Sequence, residues 1–205
     1  MALPRTLCVS VLLALAGGAT LYGATDRLQA FTTESARRIA VRQHPAEIPA
    51  VALQTQSGER INLAAMRGRW LLVDFVYTRC PTYCRALGGE FAQLQDRLAG
   101  PLARGKVRLV SISFDPEHDT PEALASYLRR SRNRGPGWIA ARPLSAQDLA
   151  RLTQAFGITV IADGAGGYVH NTAIHVVDPR GRLVDIVDAG APDRAGRIVM
   201  ARLGR

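Results

Sequence analysis

The strongest feature of the hydrophobic pattern is a nearly unbroken apolar run at residues 71–77. A run of this length without polar alternation is typical of a β-strand that is buried on both faces. Beyond it, apolar residues recur at the spacing of a helix; they are Leu87, Phe91, Leu94 and Leu98. The pattern therefore predicts a buried strand that leads into a helix at the centre of the fold.

Further strands and helices alternate along the rest of the chain. Ser57-Gly58 predicts a hairpin between 51–54 and 60–63, and a capping residue before Pro121 predicts the start of a helix. The remaining predicted elements are a strand at 107–114, a helix capped by Ser145 with Asp148, strands at 173–177 and 183–187, and a last helix at 192–203. This order predicts an α/β, thioredoxin-like fold, with a mixed central sheet, helices on both faces and an N-terminal hairpin extension.

The N-terminal segment has a different composition. Residues 1–24 carry Arg5 and then an apolar run with small residues near its end, which is the layout of an export signal. The run is short for a membrane span of about 20 residues, so a cleaved signal peptide and a retained membrane anchor are both open. Residues 25–48 predict a linker with room for one short helix, and the thioredoxin-like domain is expected at 49–205. We expect this domain in an oxidising compartment, the periplasm or the outer face of the inner membrane.

The net charge of +9 comes almost entirely from arginine, since Lys106 is the single lysine. The densest basic cluster consists of Arg129, Arg130, Arg132 and Arg134. No nucleic-acid recognition motif and no interleaved aromatic residues accompany the cluster, so no nucleic-acid partner is expected. A solvated loop that attracts anionic lipid or an acidic partner is the favoured interpretation.

Two of the three cysteines, Cys80 and Cys84, follow the buried strand in the spacing Cys-x-x-x-Cys. Four residues are about one helical turn, so the two side chains share a helix face if Cys80 lies in the first turn. The positive end of the helix dipole favours thiolate there, which indicates thiol chemistry or a soft metal ion. The third cysteine, Cys8, lies in the N-terminal segment, so the domain lacks the second cysteine pair of a common structural zinc site.

Three blocks of sequence resemble the Sco/SenC family: VYTRCPTYC at 76–84, SISFDPEHDTPEALASYL at 111–128, and His170 followed by Asp178-Pro179-Arg180-Gly181. The resemblance implies a thioredoxin-like, membrane-associated copper chaperone, which delivers copper to the binuclear copper site of cytochrome c oxidase during its assembly. By position, the implied copper ligands are Cys80, Cys84 and His170. Two thiolates and one imidazole suit Cu(I), and a set without a carboxylate can release its ion.

The resemblance also implies partners for the chain. These are the copper-bearing subunit of cytochrome c oxidase, other copper carriers or thiol–disulfide proteins, and the membrane through the N-terminal segment. The cysteine motif departs from the family, which usually has aspartate and proline where this chain has Thr82 and Arg85. A lost acid and a gained cation beside the sulfurs should lower the thiolate pKa and weaken the binding of a copper cation.

The alternative function is an extracytoplasmic thiol–disulfide oxidoreductase. Its catalytic residues would be Cys80, which attacks a substrate disulfide, and Cys84, which resolves the mixed disulfide. Asp74 lies inside the apolar strand, six residues before Cys80, which is the spacing of the buried acid in thioredoxins. An aspartate that is hydrogen-bonded to neighbouring backbone is an equal alternative for Asp74. A thiol peroxidase fits less well, because no activating residues around a peroxidatic cysteine can be identified.

The remaining histidines and two acids are expected to have structural or surface roles. His175 is predicted to be structural or to support the ligands, His118 to lie at the surface, and His44 to be a solvated linker residue. Asp115 and Asp119 precede a predicted helix, and helix capping explains both.

Overall fold

The structure is a computed structural model that describes residues 3–80 and 83–204, with side chains for residues 5–80 and 87–204. The chain divides into two compact units, Met1–Gln43 and His44–Arg205. The α-helices in the described residues are Leu3–Ala24 (α1), Thr33–Gln43 (α2), Tyr83–Arg97 (α3), Ala99–Ala103 (α4), Pro121–Arg130 (α5), Ala146–Phe156 (α6) and Pro192–Leu203 (α7). The strands are Ala46–Glu47 (β1), Ala52–Thr55 (β2), Arg60–Asn62 (β3), Trp70–Val76 (β4), Val107–Ser113 (β5), Trp138–Pro143 (β6), Val160–Ala162 (β7), Tyr168–His170 (β8), Ala173–Val177 (β9) and Arg182–Asp188 (β10). A short 3₁₀ helix, Leu63–Met66, follows β3.

The first unit consists of α1 and α2. The described side chains of α1 are exposed, and Arg5–Ala24 has a mean hydropathy of 1.8. By length and composition this helix could cross a membrane, a property that it shares with signal sequences. Helix α2 lies in the region predicted as a linker, and its Glu34 accepts hydrogen bonds from Arg37 at 2.7 Å and Arg38 at 3.0 Å. These spacings of three and four residues stabilise a helix.

The second unit is built on an eight-stranded mixed sheet with the strand order β1-β10-β9-β4-β5-β6-β2-β3. The central strands β4, β5 and β6 run parallel, and β9 pairs antiparallel with β4. Strand β4 is buried along its whole length, as its apolar run predicts. Strands β2 and β3 form the predicted N-terminal hairpin, and β9 and β10 form the predicted C-terminal pair. Strands β7 and β8 form a separate two-stranded hairpin, which the hydrophobic pattern does not predict.

Helices cover both faces of this sheet. Successive strand residues point to opposite faces, so Asp74 and Phe75 of β4 face different layers. On the face of Asp74, Phe91 of α3 packs on Trp138 of β6 with 5.5 Å between the ring centroids. On the other face, Phe156 of α6 packs on Phe75 at 5.2 Å. The predicted thioredoxin-like fold class is confirmed, and helix α3 lies directly over Asp74's face of the sheet.

Candidate functional site

The loop that carries Cys80 lies at the carboxyl end of β4. The Cys80 N–H donates to the Tyr77 carbonyl oxygen at 3.3 Å, which closes a four-residue turn. Cys80 is partly buried, and it precedes α3 instead of lying in the first turn of the helix. The prediction that the two cysteines share a helix face therefore does not apply, because only Cys84 belongs to α3.

The buried carboxylate of Asp119 fixes this loop. Its oxygens accept hydrogen bonds from the Thr78 N–H at 3.1 Å and from the Thr78 hydroxyl at 2.7 Å. The Ser113 hydroxyl donates to the same carboxylate at 2.6 Å. Burial raises the pKa of Asp119, although these hydrogen bonds oppose the change. Asp119 therefore positions the backbone two residues before Cys80.

The prediction that Asp115 and Asp119 cap a helix is wrong. Thr120 caps α5, since its side chain accepts a hydrogen bond at 3.3 Å from a backbone N–H of the first turn. Asp115 instead accepts from the Arg79 guanidinium and the His118 ring, each at 2.8 Å. Burial alone would raise the pKa of Asp115, but these two partners hold it below its usual value. Both acids thus hold the residues that lead to the first cysteine, Asp115 through a side chain and Asp119 through the backbone.

Part of the predicted site falls outside the described residues. Thr82 lies there entirely, and so do the side chains of Cys84 and Arg85. Among the side chains that are described, no three His, Cys, Asp or Glu residues form a group that could hold a metal ion. The ligand set of Cys80, Cys84 and His170 therefore stays a prediction.

His170 ends strand β8, where it pairs with Val160 of β7. Its ring packs against Phe114, with 4.8 Å between the ring centroids. Both ring nitrogens are buried, and neither has a hydrogen-bond partner within the described part of the chain. Burial lowers the pKa of His170 to about 4, so the ring is neutral at pH 7. A neutral imidazole with unengaged nitrogens has its lone pair available for a metal.

An aromatic cluster joins the His170 hairpin to the Cys80 loop. Tyr77, in the turn that Cys80 closes, packs on Phe114 and on Tyr168, each with 5.3 Å between ring centroids. The Tyr168 N–H also donates to the Tyr77 hydroxyl at 3.3 Å. Phe114 therefore contacts both Tyr77 and His170, so that the hairpin and the cysteine loop pack on the same residues.

Asp74 is buried completely in β4, on the face that α3 covers. Neither of its carboxyl oxygens has a well-formed hydrogen bond to a described residue, although the Ser111 hydroxyl and the backbone N–H of Asp74 itself are close enough to favour the charged form. Burial raises the pKa of Asp74 to about 7, and the negative charge of Glu90 on α3 adds to the rise. Both interpretations of Asp74 stay open, because burial dominates its pKa while contacts with the Ser111 hydroxyl and with its own backbone act in the opposite direction.

The other histidines lie where the sequence predicts. His175 is buried in β9, with its Nδ1 atom 3.2 Å from the Val73 carbonyl oxygen. Its ring packs edge-on against Phe75 and Phe156, which is a structural environment. The His118 side chain is 50% exposed, and His44 lies at the surface.

Sequence reasoning missed two kinds of residue at this site. Tyr77 and Phe114 read as ordinary ends of buried strands, and only the fold shows that they contact the histidine hairpin. The partner of Asp119 is Thr78, 41 residues earlier in the chain, and no local pattern can reveal that contact. The shared family blocks are the one available signal, since they contain all four of these residues.

Comparison with known proteins agrees with the resemblance. The sequence model of the SCO1/SenC family matches residues 40–202. The chain is 25% identical over 140 residues to a SCO1 protein homolog of Bacillus subtilis, and the alignment covers 67% of this chain and 72% of that protein. Other curated relatives are longer, and the chain spans 48% to 66% of the length of three of them.

Solved structures share the fold. Bradyrhizobium japonicum ScoI with copper bound is 24% identical, with a TM-score of 0.64 and coverage of 76% of this chain and 99% of that one. BsSco, described as having a disulfide switch and as a member of the Sco family of cytochrome c oxidase assembly proteins, is 23% identical. Its TM-score is 0.67, with coverage of 77% of this chain and 94% of that one. Copper, the metal expected from the sequence, is thus bound by a protein of the same fold.

Proposed function

Because this chain belongs to the SCO1/SenC family, we propose that it is a copper chaperone that delivers copper to the binuclear copper site of cytochrome c oxidase during assembly. One observation carries the proposal: His170 is a partly buried, neutral imidazole whose two buried ring nitrogens have no hydrogen-bond partner among the described residues, and its hairpin packs on the Cys80 loop. Burial of these ring nitrogens destabilises the folded protein, because they lose hydrogen bonds to water and gain none from the described residues. Coordination of a metal would satisfy it.

The proposed ligands are Cys80, Cys84 and His170, and copper is the cargo. Thiolates are soft donors that favour Cu(I), and an imidazole completes a trigonal set. Asp119 and Asp115 hold the approach to Cys80, so a hydrogen bond and an ion pair support the loop before the first sulfur. A three-ligand set without a carboxylate gives the ion up more readily than a closed tetrahedral site does.

The proposed location follows from residues 1–24. As a signal peptide or an anchor, this segment would bring the domain to the periplasm or the outer face of the inner membrane. The copper-bearing oxidase subunit and other copper carriers or thiol–disulfide proteins are the proposed partners there.

Competition for Cu(I) tests the ligand set. The full chain, reduced and kept in a non-ionic detergent without oxygen, is titrated with a chromogenic Cu(I) chelator. We expect one Cu(I) per chain, a loss of tight binding in Cys80→Ser and Cys84→Ser, and a roughly tenfold or greater loss of affinity in His170→Ala. His44→Ala is the matched control, because His44 lies exposed at the surface and outside the Cys80 loop. A His170→Ala variant that holds copper as tightly as the parent contradicts the proposal.

A second candidate function, thiol–disulfide oxidoreductase, is favoured by Asp74. In this reaction the Cys80 thiolate attacks a substrate disulfide and releases one substrate thiolate. The Cys84 thiolate then attacks the Cys80 sulfur, releases the second substrate thiol and leaves a Cys80–Cys84 disulfide. Two electrons pass to the substrate, and a reduced thiol protein must restore the dithiol. A buried acid with a pKa of about 7 can take up or give back the proton of a buried thiol near neutral pH.

Mixed-disulfide trapping tests this candidate. Cys84→Ser should accumulate a covalent adduct with a model peptide disulfide, and Asp74→Asn should slow the resolution step in a chain that retains Cys84. A chain that forms no adduct, and whose reduction potential lies far below that of its compartment, contradicts the redox role. The copper titration is independent of this outcome.

A further inference from the structure

An open cleft of about 840 Å³ lies beside Cys80, between α3 and the segment that follows α5. Gly89 and Asp96 belong to one wall, since residues seven apart lie on the same face of a helix. The opposite wall carries Arg130, Arg132 and Arg134, which are three of the four arginines in the basic cluster. The fold thus brings Cys80 close to the basic cluster, which lies about 50 residues later in the sequence.

The charge of this cleft is unbalanced. Arg134 forms an ion pair with Asp96 at 2.7 Å. Arg130 donates to the Ser126 hydroxyl at 2.8 Å, and neither Arg130 nor Arg132 forms an ion pair within the described residues. Of the three guanidinium groups, only that of Arg134 is paired with a carboxylate among the described residues, so two positive charges beside Cys80 have no carboxylate partner there.

We propose that this arginine-lined cleft binds an acidic polypeptide segment of a partner protein and so brings that partner's own sulfur or metal-binding groups to Cys80. The proposal deepens the proposed function, on which it rests for the identity of the partner as a client protein. Carboxylates match guanidinium groups in charge and in fork geometry. A volume near the top of the usual range for ligand clefts, about 300–1,000 Å³, suits an extended segment of several residues.

The shape of the site favours a polypeptide over a membrane or a nucleic acid. A bilayer surface is broad and flat, and it cannot enter a concave cleft to reach Cys80. Sites for single-stranded nucleic acid combine basic residues with exposed aromatic platforms. The one aromatic residue in the described lining, Tyr127, is 4% exposed and packs on Trp138 inside the sheet layer.

Fluorescence anisotropy with cysteine-free peptides tests the cleft without involving copper or thiol chemistry. The probe is a short peptide of aspartate, glutamate, serine and glycine with an uncharged fluorophore, and its control has lysine in place of the acids. The full chain is used in a non-ionic detergent at low salt. Arg130→Glu/Arg132→Glu should weaken binding of the acidic peptide roughly three- to tenfold, since exposed pairs are worth little individually. Arg194→Glu/Arg197→Glu makes the same change in net charge on exposed residues of α7, and it should leave the affinity nearly unchanged.

A variant that is expected to bind the peptide more tightly controls for a loss of binding caused by misfolding. Asp96→Asn releases Arg134 from its ion pair, so this variant should bind the acidic peptide more tightly than the parent. Equal losses of peptide affinity in Arg130→Glu/Arg132→Glu and in Arg194→Glu/Arg197→Glu would overturn the proposal, because they would reflect only the net charge. Tighter binding of oligothymidylate, or of phosphatidylserine vesicles through the same arginines, would also overturn it. Because the peptide lacks cysteine, a failure here leaves the copper titration unaffected.

Discussion

Replacing Asp74 by asparagine should stabilise the protein, and the gain should depend on pH. Asparagine has the shape of a protonated aspartate, so the substitution removes a buried charge without opening a cavity. The pKa of Asp74 rises from 3.8 to about 7 on folding. Each tenfold change in proton affinity corresponds to about 1.4 kcal/mol, so the fully charged form costs the folded state about 4 kcal/mol.

The sign follows from proton binding by the two states. Between pH 3.8 and about 7 the folded protein keeps the Asp74 proton that the unfolded chain has lost. Stability therefore falls as pH rises through this window and changes no further above it. The free energy of unfolding of Asp74→Asn minus that of the parent should thus grow by about 3 kcal/mol between pH 5 and pH 8.

Urea unfolding in a non-ionic detergent, followed by tryptophan fluorescence, measures this difference. Trp138 is fully buried on the same face of the sheet and donates to Ser111 at 3.0 Å, so its emission reports the environment of Asp74. Glu117→Gln, which removes an exposed carboxylate, controls for the change in net charge. The free energies of unfolding of variant and parent are compared at each pH, because His170 contributes an opposite pH dependence to both proteins. Its lowered pKa adds stability as pH rises from about 4 to 6.5. A gain that is equal at pH 5 and pH 8 refutes the reasoning.

Two further predictions concern the packing of α3 and the support of the cysteine loop. A Cβ atom at Gly88 would lie 2.3 Å from the Ser131 hydroxyl oxygen, whereas one at Gly89 would meet nothing within 4 Å. Gly88→Ala should therefore lower the free energy of unfolding by about 1 kcal/mol or more. Gly89→Ala should raise the free energy of unfolding by about 0.5–1 kcal/mol. Equal shifts of the urea midpoint in the two variants would contradict this. Asp119→Asn should lower the free energy of unfolding by about 1–3 kcal/mol and speed hydrogen exchange at the Thr78 amide. Unchanged protection of that amide would show that Asp119 does not hold the loop.

The sequence predicts the central elements of the fold because their apolar patterns are long. Strand β4 and the stripe of α3 are buried as expected, and so is the strand pair β9–β10. Strand β6 is not predicted, since it follows a Gly-Pro-Gly turn and contains Arg142, although it lies between β5 and β2 in the sheet. The β7–β8 hairpin is not predicted either, because each strand has only three residues and Ile161 and Val169 face solvent.

The candidate site is predictable where a residue acts through its own chemistry and not where it acts through a distant contact. Cys80 and His170 are recognisable as ligand types in a family motif. Asp119 carries the same local signal as a capping residue, since threonine and proline follow it, and the sequence cannot distinguish capping from a contact across the fold. Burial is what separates the two interpretations: a capping carboxylate lies at the surface, and that of Asp119 is fully buried.

The two sides of the proposed site are held with different strength, and this bears on how an ion could be released. Cys80 follows a loop that a buried carboxylate and an ion pair attach to the eight-stranded sheet. His170 lies on a hairpin of three residue pairs that is not part of that sheet, and a two-stranded hairpin of this size is only marginally stable by itself. Its ring contributes packing against Phe114 but no hydrogen bond among the described residues. The imidazole can therefore turn away without breaking a hydrogen bond of its own among the described residues, whereas a shift of the loop before Cys80 must break the hydrogen bonds to Asp119. In the proposed copper carrier, we therefore expect the bond to His170 to open first when a partner with stronger ligands approaches, while Cys80 keeps the ion in place until it is exchanged.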